Sequence, residues 1–168
     1  MHNFIEHENG TGFIAYAGSP ELCKLKDQPE GKGENVKLTT LDSLAAANDI
    51  DSFDIIKMDA EGHEQKILRG AEKIIAEKSP IIFYEYTDGS NINSELTSDF
   101  SDIGYDSYYY VSATSTLYKH RKEFPVDQSV LNLIAVKPES LHRFEGIAKI
   151  DDAENHARLG NDVLQNFR

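Results

Sequence analysis

Cysteine is nearly absent from this chain. The single Cys23 among 168 residues cannot form an internal disulfide, which fits a reducing compartment. Long apolar runs are missing as well, and none approaches the roughly 20 residues that a membrane-crossing helix needs. Residues 1–8 lack the basic start and apolar segment of a secretion signal, so the expected location is cytoplasmic. Cations are scarce: 17 Lys and Arg stand against 29 Asp and Glu, a formal net charge of −12. Non-specific binding to a phosphate backbone needs clustered Lys and Arg. The one basic cluster, Lys119-His120-Arg121-Lys122, is too short to supply that. Neither nucleic acid nor a membrane is an expected partner, although a small anion at a local cluster stays compatible.

What is present is an ordinary globular composition, 39% apolar and 27% charged. The length suits one domain with a real core. Residues 1–138 are expected to form it, with 139–168 as a polar tail or helix. The stretch Phe53-Asp54-Ile55-Ile56-Lys57-Met58-Asp59-Ala60-Glu61-Gly62-His63-Glu64 is the most informative. An apolar run ends in a knot of carboxylates with a glycine inside it, and a patterned helix follows. Strand, acidic turn and helix in succession are how an open α/β sheet presents chemistry at the carboxyl edge of a strand.

Other elements follow from local pattern. Short strands are expected over 3–6 and 13–16 with Asn9-Gly10-Thr11-Gly12 as the turn between them, and an irregular polar excursion over 18–35. A brief strand at 36–38 leads to a helix that Thr40 caps. One helix is expected over 62–78, because Ile67, Leu68, Ala71, Ile74 and Ile75 fall on a single stripe. Pro80 ends it and opens a strand over 81–86. A helix over 94–102 stops at Gly104. Strands over 105–111 and 131–136 flank a loop of nearly twenty residues, long enough to be functional.

If the strands ending at Met58 and Glu85 are neighbours, Asp59, Glu61 and Glu85 converge on one rim. Such convergence needs a cation, a donor or a proton to relieve repulsion. Lys57, His63 and His120 are the local candidates. The plainer role for Asp59 and Glu61 is capping the following helix, worth roughly 0.5–2 kcal/mol, and Glu64 reads as a first-turn charge. Glu85 is harder to dismiss, since a carboxylate at the end of an Ile-Ile-Phe-Tyr strand needs a partner. His2, His7, His142 and His156 lie in polar surroundings and read as solvated. Tyr108-Tyr109-Tyr110 reads as sheet packing, and Cys23 lacks the neighbours of a nucleophile.

Four linked segments carry a family resemblance: Val36-Lys37-Leu38-Thr39-Thr40-Leu41-Asp42-Ser43-Leu44, then Ile55 through Glu64, then Ile67-Leu68-Arg69-Gly70-Ala71, then Pro80-Ile81-Ile82-Phe83-Tyr84-Glu85. Over 36–138 the chain resembles the FkbM-type methyltransferases. These use S-adenosylmethionine to methylate hydroxyl groups, often on sugars or polyketide-like natural products. The resemblance implies an α/β, Rossmann-like class I methyltransferase sheet in the strand order third-second-first-fourth-fifth-seventh-sixth. That sheet would be mostly parallel, with an antiparallel strand near the C-terminus. It also implies Asp59 close to the reacting centre, Glu61 and Glu85 lining the acceptor pocket, Lys57 holding those carboxylates, a small-molecule hydroxyl as acceptor, and S-adenosylmethionine as cofactor. Asp59 or Glu85 is then the catalytic base or proton-orienting group, and the sequence does not choose between them. His63, beside the knot, joins the substrate-binding set by position.

One part of the family pattern is not found before Val36. It is a strand leading into an Asp-x-Gly-x-x-x-Gly turn, followed by a second strand ending in an acid for the cofactor's ribose. The expectation is therefore a domain truncated at its N-terminus. The strand over 53–58 would be left with an open edge, suited to self-association or to a partner that supplies the rest. Two functions stay in play: a methyltransferase, or a non-catalytic remnant acting as a binding or partner module. A small metal-dependent hydrolase is a third. A divalent cation across these carboxylates would suit their oxygen ligands, but the spacing is not diagnostic.

Overall fold

Short strands divided by polar turns make up most of the structure, a computed structural model that describes residues 3–16, 24–26, 28–29, 31–51, 53–60, 62–88, 91–121 and 132–150. They group into two units: Met1–Phe53 with Ala60–Lys78, and Asp54–Asp59 with Ser79–Arg168.

In the first unit β1 (Asn3–Ile5), β2 (Gly10–Ala15), β3 (Lys24–Lys26) and β4 (Gly33–Thr39) form a sheet in the order β1-β4-β2-β3. β4 is parallel to β1 and antiparallel to β2, and so lies between them. Gly10-Thr11-Gly12, expected as a turn, instead opens β2 opposite Leu38, Lys37 and Val36. The excursion over 18–35 likewise contributes β3 and the first residues of β4. Backbone pairing with β4 overrides the turn character of these glycines.

Helix α1 (Leu41–Ala47) begins where the sequence placed it, with the Thr40 hydroxyl oxygen accepting the Ser43 N–H at 2.9 Å. The helix expected over 62–78 is two helices, α2 (Glu64–Arg69) and α3 (Glu72–Lys78). The cause of the break lies on α1. The Asp42 carboxylate accepts the N–H groups of Lys73 and Ile74, both at 3.0 Å, and so caps α3 as a helix of its own. The Asp42 N–H in turn donates to the Gly70 carbonyl at 3.1 Å. Gly70 is needed at the break for space, since a Cβ there would lie against the carbonyl oxygen of Glu6. The apolar stripe survives the break: Leu68, Ala71, Ile74 and Ile75 are all buried.

The second unit holds β5 (Ile55–Met58), β6 (Ile81–Glu85), the ribbon β7 (Thr87–Asp88) and β8 (Asn91–Ile92), α4 (Ser94–Asp102), β9 (Asp106–Val111), β10 (Thr116–Lys119), β11 (Asn132–Val136) and β12 (Ala148–Ile150). Six of these strands form one sheet in the order β12-β10-β9-β11-β6-β5. β5 closes one side, and among the described residues no strand pairs its outer edge. The run β5-β6-β11-β9 is the fourth-fifth-seventh-sixth order that the resemblance implied. The expected mostly parallel character is not found. β5–β6 and β10–β12 are parallel, while β6–β11, β11–β9 and β9–β10 are antiparallel, so the sheet is mixed. Connection length explains it. A parallel pair needs a long crossover, which α2 and α3 supply between β5 and β6. β9 and β10 are joined by a single 3-10 turn, Ser112–Thr114, which permits only an antiparallel partner.

That turn and β10 occupy the first part of the long loop expected after residue 111. Past residue 138 the chain adds a 3-10 helix, Pro138–Arg143, and then β12, which pairs with β10. The helix considered for 152–167 lies outside the described residues. Tyr84 ties α4 to the sheet: its buried hydroxyl meets Ser107 Oγ at 2.7 Å and Thr97 Oγ1 at 3.1 Å. Burial pushes this phenol up to about 12, against the hydrogen bonds from Ser107 and Thr97, so it stays neutral.

Gly70→Ala is expected to lower the unfolding free energy by about 1–3 kcal/mol, as overpacking against backbone does. Gly10→Ala, where a Cβ meets nothing within 4 Å, is the control and should shift it by less than about 0.5 kcal/mol. Urea unfolding checks both, and equal effects would refute the close approach at Gly70.

Candidate functional site

Register decides which side chains share the carboxyl edge of β5 and β6. Met58 lies beside Tyr84 in the parallel pair, so Asp59 and Glu85 follow at adjacent positions just beyond. Across the antiparallel pair Glu85 lies opposite Asn132. Lys57 Nζ donates to Asp59 Oδ2 at 3.1 Å and to Asn132 Oδ1 at 2.9 Å. This bridge puts Lys57, Asp59 and Asn132 on one face. Strand alternation adds Glu85 to it through the pairs Lys57–Phe83 and Glu85–Asn132. The expected relief of carboxylate repulsion therefore comes from Lys57. Lys57 and Asp59 are each about half exposed, 49% and 54%, so the pair stabilises by no more than about 1 kcal/mol. It positions groups rather than holding the fold. Glu85 is half-buried.

Asp59 does not cap the following helix. The residue at that position is His63, and the carboxylate that stabilises the turn is Glu64. Glu64 is buried, and its Oε1 accepts the Ala60 N–H at 2.8 Å, so it is more than the first-turn charge it resembled. Gly62, with φ of 92°, takes the left-handed conformation this turn requires. Glu61 lies outside the described residues.

His63 has a partner that sequence reasoning did not supply. Its Nδ1 bonds Oε1 of Glu6, a carboxylate only 2% exposed at the end of β1. The other oxygen of Glu6 accepts from the His7 backbone N–H at 3.3 Å and meets His7 Nδ1 at 3.0 Å. His7, expected to be solvated, is thus half of a bracket around a buried carboxylate. Burial pushes Glu6 up, but the hydrogen bonds from His7 and His63 outweigh it and hold the carboxyl below the usual carboxylate range. The available signal was weak: Glu6 ends a short apolar strand, as Glu85 does, but flanking polar residues mask it.

Other candidates resolve individually. Lys119 of the basic cluster pairs with Asp106 at 2.8 Å, and the His120 ring stands edge-on to Tyr86 at 5.0 Å. Both line a cavity of about 330 Å³ with Thr97, Ser101, Asp102 and Tyr105, and none of Lys57, Asp59 or Glu85 is in its wall. Tyr108 is buried in the sheet core and Tyr109 stacks on Tyr118 at 5.4 Å, as a packing role requires. Cys23, His2, His156 and Lys122 fall outside the described residues. Among the described residues no group of three or more His, Cys, Asp or Glu is arranged to hold a metal ion. No helix among them is long and apolar enough to cross a membrane.

The family model described as "Methyltransferase FkbM domain" matches residues 4–107. No curated protein and no solved structure matches the chain. The family's use of S-adenosylmethionine can be tested against the glycines. Gly10, Gly12 and Gly33 lie within β2 and β4, and Gly70 lies between α2 and α3 against Glu6. Among the described residues none follows a buried strand as a glycine-rich turn, so they do not fit the methionine part of that cofactor.

Because the folded state favours ionised Glu6, its contribution to stability is complete above the ordinary value near 4.5 and is lost as pH falls through the depressed folded value. Glu6→Gln should cost about 1–2 kcal/mol at neutral pH. The gap to wild type should shrink as pH drops toward about 3. Denaturant unfolding across this range checks it, and a gap independent of pH would contradict the assignment.

Proposed function

Since the chain belongs to the FkbM methyltransferase family, we propose that its activity is methylation of a hydroxyl group on a sugar or natural-product-like small molecule, with S-adenosylmethionine as donor. The observation that carries this reading is the Lys57 bridge, which fixes Asp59 beside Asn132, the cross-strand neighbour of Glu85. Two carboxylates, an ammonium and a side-chain amide on one sheet edge match the alternating donors and acceptors of a polyhydroxylated acceptor. In this reading Asp59 and Glu85 accept hydrogen bonds from acceptor hydroxyls and orient the reacting one. Lys57, itself bonded to Asn132, holds Asp59 in place. Orientation of this kind contributes by fixing the attacking oxygen in line before the reaction. Glu61 and His63 are proposed separately as substrate contacts.

The competing reading is a non-catalytic module that binds an acceptor or a protein partner. It is favoured by the glycines, which are spent on strand pairing and helix packing rather than on a cofactor turn.

Calorimetry with S-adenosylmethionine and its demethylated product separates the two. Dissociation constants of about 1–100 μM support the enzyme. A folded sample that shows no heat at about millimolar ligand supports the binding module. With a panel of monosaccharides and hydroxylated polyketides, Asp59→Asn and Glu85→Gln are expected to cut labelled methyl transfer by about a hundredfold or more. Wild-type turnover in both variants would remove the acidic edge from the reaction.

A further inference from the structure

A neutral base needs two things that a solvated histidine lacks: a fixed tautomer and an acceptor for the positive charge it gains. His63 has both in Glu6. The Glu6 carboxylate can only accept, so the ring nitrogen bonded to it, Nδ1, carries the proton. In the neutral imidazole the lone pair then lies on Nε2, and among the described residues no protein group bonds Nε2. The ring is 23% exposed while the Glu6 side chain is 3% exposed, so a solute reaches the base but not the carboxylate that orients it. Glu6 is itself held at both oxygens and through its backbone, whose N–H donates to the Thr39 carbonyl at 2.9 Å. Close packing of its carbonyl against Gly70 fixes it further.

We propose that His63 is a catalytic base of this chain and Glu6 its positioning residue. A hydroxyl bound at Nε2 loses its proton to that nitrogen. The O–H bond breaks with its electron pair left on oxygen, an N–H bond forms, and the imidazolium is stabilised by Glu6 as that oxygen becomes nucleophilic. The role in methylation rests on the function proposed above; the dyad itself is testable without it. Its chemistry is separate from the metal alternative, since these groups form no metal-binding cluster among the described residues.

The test reads the ring directly, in the full chain. Imidazole nitrogen NMR near pH 7.5, with His63→Gln used to assign the signal, is expected to show His63 as the Nδ1–H tautomer. Diethyl pyrocarbonate followed by peptide mapping should modify His63 in the folded wild type, and Glu6→Gln should slow that modification several-fold while circular dichroism shows the fold retained. An Nε2–H tautomer, or a His63 unreactive in the folded protein, overturns the proposal. If Glu6→Gln does not fold, the wild-type tautomer decides alone. Failure to bind S-adenosylmethionine would sink the methyltransferase reading and leave the dyad standing. The wrong tautomer would sink the dyad and leave the methyltransferase reading.

Discussion

The backbone register of β6 is the constraint on which the acidic edge depends. It is fixed twice, by β5 in parallel and by β11 in antiparallel. A slip of one residue would turn Glu85 to the other face and remove Asn132 from its side. The same slip would withdraw the Tyr84 hydroxyl from Ser107 and Thr97, leaving buried polar atoms unsatisfied. Core and site therefore share one register, because Ile81 and Phe83 pack into the core on the face that Glu85 ends, and Ile82 and Tyr84 are buried on the other. Burial on both faces of β6 penalises the slips that would displace Glu85 at its end.

An acidic chain with few cations has to place its carboxylates with care, and two of them are spent on backbone. Asp42 starts α3 and Glu64 holds the turn after β5, while the Thr40 hydroxyl starts α1. These explain why segments that look like a catalytic signature hold the first unit together. The Thr-Leu-Asp segment and the Leu-x-Gly-Ala segment meet at one helix junction, where Asp42 caps what Gly70 interrupts. Glu6 differs in kind. It is buried against two histidines rather than backbone amides alone, and a carboxylate so enclosed polarises whichever ring it holds.

Much of the fold was legible from pattern. Thr40 before an apolar run, Pro80 before Ile81, and Gly104 after Asp102 each act over one turn of chain, and each marks the boundary found. The reading failed where a distant residue intervened. Gly70 alone does not say that a helix breaks there, because the capping carboxylate is on another helix. Gly10 and Gly12 look like a turn until β4 lies alongside. The strands β10 and β12 are short, and only pairing with each other and with β9 makes them strands.

Residue order alone set the chemistry on offer: a carboxylate-rich turn after the short strand Ile55–Met58, a carboxylate ending the next strand, and the family to which these motifs belong. Those features are local, set by residue type and spacing within a few turns of chain. Packing and strand register chose the partners. They gave Asp59 to Lys57, which also bonds Asn132, rather than to a helix amide, and they matched His63 with Glu6 across 57 positions of sequence. The reason is physical: a side chain's charge and reach are properties of one residue. The neighbour that desolvates or orients it is fixed by backbone register and packing, which no single segment contains.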